Sequence, residues 1–238
     1  MYWGYYLSMA GMWILIPAII FTMVAQAKVS SAYNKYSKVA LKSGLSGADT
    51  AREIINRKGL FNLKINSVSG NLTDNYNPSS KTLNLSSGVY GSRSIAASAI
   101  AAHEMGHALQ DAENYAFLRL RSFFVPIANF GSKAAMPLII IGLLMSSRLG
   151  ADGLLLARIG VCFFSFSVIF IFITLPVEFD ASKRALVVLE ETGIMSPDEI
   201  PQAKEVLSAA ALTYVAAAAS ALANLLRLML IVNSGRRR

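Results

Sequence analysis

Histidine and cysteine are nearly missing from this chain of 238 residues, which holds two of the first and one of the second. One cysteine rules out an internal disulfide framework, and Cys162, lying inside an apolar run, reads as a small core residue. Charge is thin as well, at 15% of residues, with 14 acidic side chains against 22 basic ones. A net charge of +8 could serve a nucleic acid, but no basic cluster is interleaved with aromatics as such binding requires, so no nucleic-acid partner is expected. What the chain does have is apolar bulk. It is 54% hydrophobic with a mean hydropathy of +0.48, in runs too long for an ordinary soluble domain, so its partner is a lipid bilayer. A cytoplasmic membrane surface accounts for the excess of Lys and Arg.

Five segments follow. Residues 1–27 form a first transmembrane helix: 5–27 carry no charge and suffice to cross about 30 Å of hydrocarbon, with Trp3, Tyr5 and Tyr6 suited to the interface. Residues 28–122 read as a small α+β unit. It opens on a basic amphipathic helix over 28–42 that either lies on anionic lipid or packs its stripe on the rest of the unit. Thr50-Ala51-Arg52-Glu53 then reads as a capping box for a short helix ended by Gly59. Alternation over 61–66 predicts a strand, 70–80 a loop, and 81–86 a second strand. Residues 123–176 form a transmembrane hairpin with spans at 123–145 and 154–175. Residues 177–204 hold a cytoplasmic helix closed by Gly193, followed by a capping box over 196–199. Residues 205–238 form a last hydrophobic helix, with a fourth span over 206–226, and a basic tail.

Both histidines fall in one stretch, His103-Glu104-Met105-Gly106-His107, behind Ala-rich residues that Ser94 can cap as a helix. Four helical residues leave the two imidazoles roughly 40° apart and about 6 Å along the axis, where both reach one ion. Glu104 sits about 100° round from His103, too far to join both histidines on the ion but placed to hold the attacking water and take its proton. The plain alternative is two ordinary histidines on an amphipathic helix. Against it stands the coincidence of both with a Glu in five residues flanked by small side chains. Gly106 costs about 1 kcal/mol against Ala in a helix, tolerable if another backbone passes close by.

A third ligand must be a carboxylate, because no histidine remains. Asp111 is eight residues beyond His103, about 12 Å up the axis and out of reach. Glu178 comes back to the motif's side after two spans. Asp180 is its rival; two residues apart on a helix, the two carboxylates point about 200° apart, so only one faces the ion, and the other pairs with Arg184.

The stretch LTDNYNPSSKTLNLSSGVYGSRSIAASAIAAHEMGHALQDAENY (72–115), with PVEFDASKRAL (176–186), resembles the YugP-like family of bacterial membrane zinc metallopeptidases, over nearly the whole chain. The resemblance implies a gluzincin-type peptidase, more distantly similar to the HtpX group of membrane proteases. It further implies one Zn²⁺ per chain on His103, His107 and Glu178, with Glu104 as base. Asn75 stands where relatives often have His, and Ser182 where the HtpX group has Asp. The fold expected is a mainly α membrane protein, with about four transmembrane helices and a small α+β zincin-like unit on the cytoplasmic side of a bacterial plasma membrane. The activity expected is hydrolysis of peptide or membrane-protein substrates; the alternative is a quality-control or scaffold protein with a structural or vestigial zinc site. Oligomeric state is open. Leu83, Asn84 and Leu85, taken as an edge strand before the motif helix, are expected to pair with an extended substrate, and Asp180 and Arg184 to support the ligands.

Overall fold

A computed structural model describes residues 2–234, with the side chains of all of these except 2–10, 147 and 148. The side chains of the interface aromatics Trp3, Tyr5 and Tyr6, and the arginines at 236–238 altogether, lie outside what is described. The order of elements is α1 (Tyr2–Tyr36), α2 (Gly47–Lys58), β1 (Lys64–Val68), β2 (Asn75–Asn77), β3 (Thr82–Ser86), α3 (Ser87–Tyr90), α4 (Ile95–Ala112), α5 (Ala116–Leu149), α6 (Ala151–Glu191) and α7 (Ile200–Ser234). Four helices, α1, α5, α6 and α7, are long and apolar enough to cross a membrane. The chain is thus a mainly α membrane protein with a small sheet, as its hydropathy predicts.

Helix limits depart from expectation where a span was expected to stop. α1 continues past residue 27 to Tyr36, and α6 is one helix of 41 residues with Pro176 inside it. Proline there forfeits one backbone hydrogen bond, yet Val177, Ala181 and Ala185 beyond it are all buried, so packing holds the helix together across the gap. α2 starts earlier than its expected box. Ser46 is the N-cap, boxed with Asp49, while Thr50 is buried and shares a 2.9 Å hydrogen bond with Ser98 of α4. Cys162 is exposed rather than packed.

The chain divides into two compact units. The first, the membrane unit, joins Met1–Val24, Leu120–Leu175 and Tyr214–Arg238. In it α5 and α6 form a hairpin whose small residues interlock: a Cβ on Gly142 would lie 2.4 Å from the Ala157 nitrogen, and one on Gly160 2.8 Å from the Ala135 carbonyl. Such close approach is how helices pack where lipid gives no hydrophobic drive between them. Large apolar side chains such as Phe123, Phe130, Leu144 and Phe172 stay exposed on the outer surfaces.

The second unit, Ala25–Arg119 with Pro176–Thr213, is the α+β unit. Its core gathers Ile54, Leu83, Leu85, Ile95, Met105, Leu189 and Met195, all essentially inaccessible, each contributing about 1.5–3 kcal/mol by burial. Ala32, Tyr36 and Leu41 are buried too, and Tyr36 and Leu41 join that core, as the packed reading of 28–42 expects, but the helix ends at Tyr36 and Val39 beyond it is exposed. The sheet order is β1-β3-β2: β3 is parallel to β1 and antiparallel to β2. This corrects the reading of Leu83, Asn84 and Leu85 as an edge strand open to substrate. β3 is central because Asn75–Asn77, expected as loop, pairs along its other side. Its backbone is engaged by both neighbours, and Leu83 and Leu85 face the core at 0% exposure.

Candidate metal centre

The motif lies on α4, whose first turn is closed by the Ser94 hydroxyl accepting from the Ala97 N–H. His103 and His107 come out on one face of it, rings 5.0 Å apart and nearly perpendicular. α6 crosses α4 where side chains are smallest. A Cβ on Gly106 would lie 2.4 Å from the Ala181 carbonyl oxygen, so only glycine lets the two backbones come this near.

That crossing delivers Glu178. Its Oε2 is 3.3 Å from His103 Nε2 and 3.5 Å from His107 Nε2, and ligand atoms of all three residues lie within 4.8 Å of one another. Glu178 is buried, as are His107 and Glu104, and all belong to the α+β unit. Asp180 turns elsewhere: it accepts from Arg184 Nε at 2.5 Å and from Gln110 Nε2 at 2.9 Å. Arg184 also pairs with Glu113 and lies over the Tyr115 ring. Asp111 accepts from the Tyr76 hydroxyl and from Lys81, tying the sheet to the end of α4 rather than serving the ion.

Two residues with no role in the sequence reading complete the surroundings. Gln110, wholly buried, gives both amide hydrogens away, to the Val177 carbonyl at 2.8 Å and to Asp180. Its amide oxygen therefore faces His107 Nδ1, 3.0 Å away, and that nitrogen must carry a proton to donate. The Nε2 lone pair is left pointing at Glu178. Ser182 does the equivalent for the other ring, its hydroxyl 3.1 Å from His103 Nδ1. A signal for Gln110 was present, a lone amide among alanines three residues past His107. For Ser182, one turn past Glu178, only the departure from Asp marked it.

Does this set suit zinc? Two imidazoles presenting Nε2 and one buried carboxylate are the borderline-soft N/O donors that catalytic zinc takes, three from protein with one position open. The Gln110 amide oxygen and the Ser182 hydroxyl, each beside an Nδ1, fix the rings and raise their basicity. Electrostatics agrees. Burial works to lower the pKa of His107, but Glu178 and Glu104 outweigh it and hold the group above its ordinary value.

A buried two-histidine, one-glutamate cluster on a helix crossing, inside a protein of membrane helices, defines a class: membrane-associated zinc-peptidase-like centres. The chain belongs to the family described as "Putative neutral zinc metallopeptidase", whose model matches residues 11–233. It is 45% identical over 221 residues, 93% of this chain and 96% of the relative, to "Putative membrane protease YugP" of Bacillus subtilis (strain 168). No solved structure matches.

Proposed function

We propose that the chain is a membrane-embedded endopeptidase that holds one zinc ion on His103, His107 and Glu178 and uses Glu104 as general base. The observation that carries this reading is the convergence of both Nε2 atoms on the Glu178 carboxylate while both Nδ1 atoms are engaged elsewhere. Zinc held there supplies Lewis acidity, polarising the scissile carbonyl and bringing a water into reach of deprotonation near neutral pH.

The remaining work falls to the chain. Glu104, next to His103 and buried, orients the attacking water, takes its proton and returns it to the departing amide nitrogen. Gln110 and Ser182 hold the imidazoles in the tautomer that keeps Nε2 free. Arg184 pins Asp180, which in turn pins Gln110. Substrates are peptides or segments of membrane proteins. Lys28, Lys35, Lys38, Arg119, Lys183 and Arg184 lie within the α+β unit close to the spans and Arg121 just beyond it, which by the positive-inside bias turns the unit to the cytoplasm of a bacterial cell.

The test is Glu104→Gln in purified full-length protein, with bound metal and casein cleavage measured together. The amide keeps the shape but cannot accept a proton, so zinc stays while cleavage drops by about 10²–10⁴-fold. Undiminished cleavage by the variant would sink the mechanism. Labelling of a Ser80→Cys, Cys162→Ser protein from outside intact cells would reverse the orientation.

A further inference from the structure

Between Arg121 and residue 148, α5 carries one charge, Lys133. Those two bracketing arginines are 27 residues apart, about 40 Å of helix, which is the thickness of a bilayer with its headgroups. Lys133 stands about 18 Å from the first, close to the middle. Its four-carbon stem covers roughly a third of that distance, so it does not bring the ammonium back to the headgroups. A charge at that depth costs about 2.5–3.5 kcal/mol on insertion scales and is normally turned into a bundle or paired.

Here it is neither. Pro126, Asn129, Lys133 and Met136 recur at helical spacing on one exposed face. The face that packs on α6, with Ala128, Gly131 and Ala135, is turned about 150° away. Among the described residues neither Lys133 nor the Asn129 side chain has a hydrogen bond or ion pair. The hairpin thus presents an ammonium and a carboxamide one turn apart, at mid-membrane depth, on a surface otherwise fit for lipid.

We propose that this face of α5 is a docking site for a membrane-spanning helix of another protein that carries a carboxylate near its midpoint. Charge decides the occupant. A second copy of the chain in the same orientation would bring Lys133 against Lys133, and a lipid phosphate stays at headgroup depth. Lys133 neutralises the carboxylate, and Asn129 offers donor and acceptor to the same helix. The proposal does not depend on what the zinc site does.

The probe is a set of synthetic leucine-alanine transmembrane helices bearing Glu, Leu or Lys at the centre, each with an acceptor fluorophore. Full-length protein carries the donor on Cys162, its only thiol, in phosphatidylcholine vesicles. The Glu helix should associate about three- to tenfold more tightly than the Leu helix, and the Lys helix most weakly. K133L should abolish the preference and K133E should reverse it towards the Lys helix. K133M keeps the stem and stands in if K133L fails to insert; zinc content and helical circular dichroism matching the parent show that each variant is folded. Equal association of all three helices with the parent protein overturns the proposal, as does a preference that survives in K133L and K133M. Energy transfer between two labelled copies that disappears in K133E would give the face to self-association and overturn it equally.

Discussion

In the membrane unit, a Cβ on Gly142 would lie 2.4 Å from the Ala157 nitrogen, the same distance at which one on Gly106 would meet the Ala181 carbonyl oxygen in the α+β unit. Both crossings depend on a missing Cβ, yet they enclose different things. Around Gly142 and Gly160 lie Ala135, Ile139 and Ala157, and the contact ends in dispersion between apolar atoms. Around Gly106 lie Glu104, His107, Gln110 and Glu178, all buried. There, close approach serves placement: it brings a carboxylate from α6 onto two imidazoles of α4. The same packing device is a matter of stability in one unit and of chemistry in the other, because only the second surrounds it with polar groups that must be satisfied.

The comparison breaks most sharply at Glu178. Glu178→Ala should lower zinc affinity by more than about 100-fold, beyond the 10–100-fold of an outer-shell loss, and abolish cleavage, while Asp180→Ala keeps its zinc. Metal analysis of the two variants decides it, and the reverse pattern would move the ligand to Asp180. Next come the two glycines. Gly106→Ala forces α4 and α6 apart at the site and should cost about 10–100-fold in zinc affinity. Gly142→Ala, with an equal clash, should cost about 1–3 kcal/mol of stability and leave zinc binding untouched. If both variants lose zinc alike, the division between the units is wrong.

A smaller effect separates the two supporting residues. Gln110→Met removes the acceptor of His107 and one hydrogen bond each from Asp180 and the Val177 carbonyl, for about a tenfold or greater loss of zinc affinity. Ser182→Ala, which removes one neutral hydroxyl beside His103, should cost less, and titration of each variant with zinc ranks them.

The mildest test is pH. In zinc-free protein the raised pKa of His107 means that its proton stabilises the fold fully below the unfolded value of about 6.5, and that this contribution is lost as pH rises through the higher folded value. Zinc needs the neutral ring, so its affinity climbs over the same window. Thermal midpoints of the zinc-free protein should therefore fall as pH rises above about 6.5 while zinc affinity rises. A flat profile would remove His107 from the titration, and the membrane unit, which holds neither histidine, contributes nothing to it.

Much of this could be read along the chain because it rests on neighbours in sequence. The i, i+4 histidines, the Ser94 cap and the glycines that end α2 and α6, Gly59 at φ 70° and Gly193 at φ 67°, obey rules a few residues long. The four apolar runs needed only length and composition. Even the place of Glu178 beside the two histidines was reachable by elimination, because so few metal-binding side chains exist to choose from.

What stayed hidden depends on partners far apart. Three residues, Asn75–Asn77, in a stretch rich in Asn, Ser and Pro carry no strand periodicity, yet they pair with β3 and turn an expected edge into a centre. Pro176 reads locally as a break and is overridden by packing on the turns that follow it. Gln110 stands out on its helix as a lone amide, but its role does not show there; its three bonds run to His107 and, 67 and 70 residues on, to Val177 and Asp180. Periodicity and capping are fixed by backbone geometry within one or two turns, so residue order suffices for them. Strand order, the arrival of Glu178 beside the two imidazoles and the tautomer of His107 are set by contacts between segments that lie far apart in the sequence.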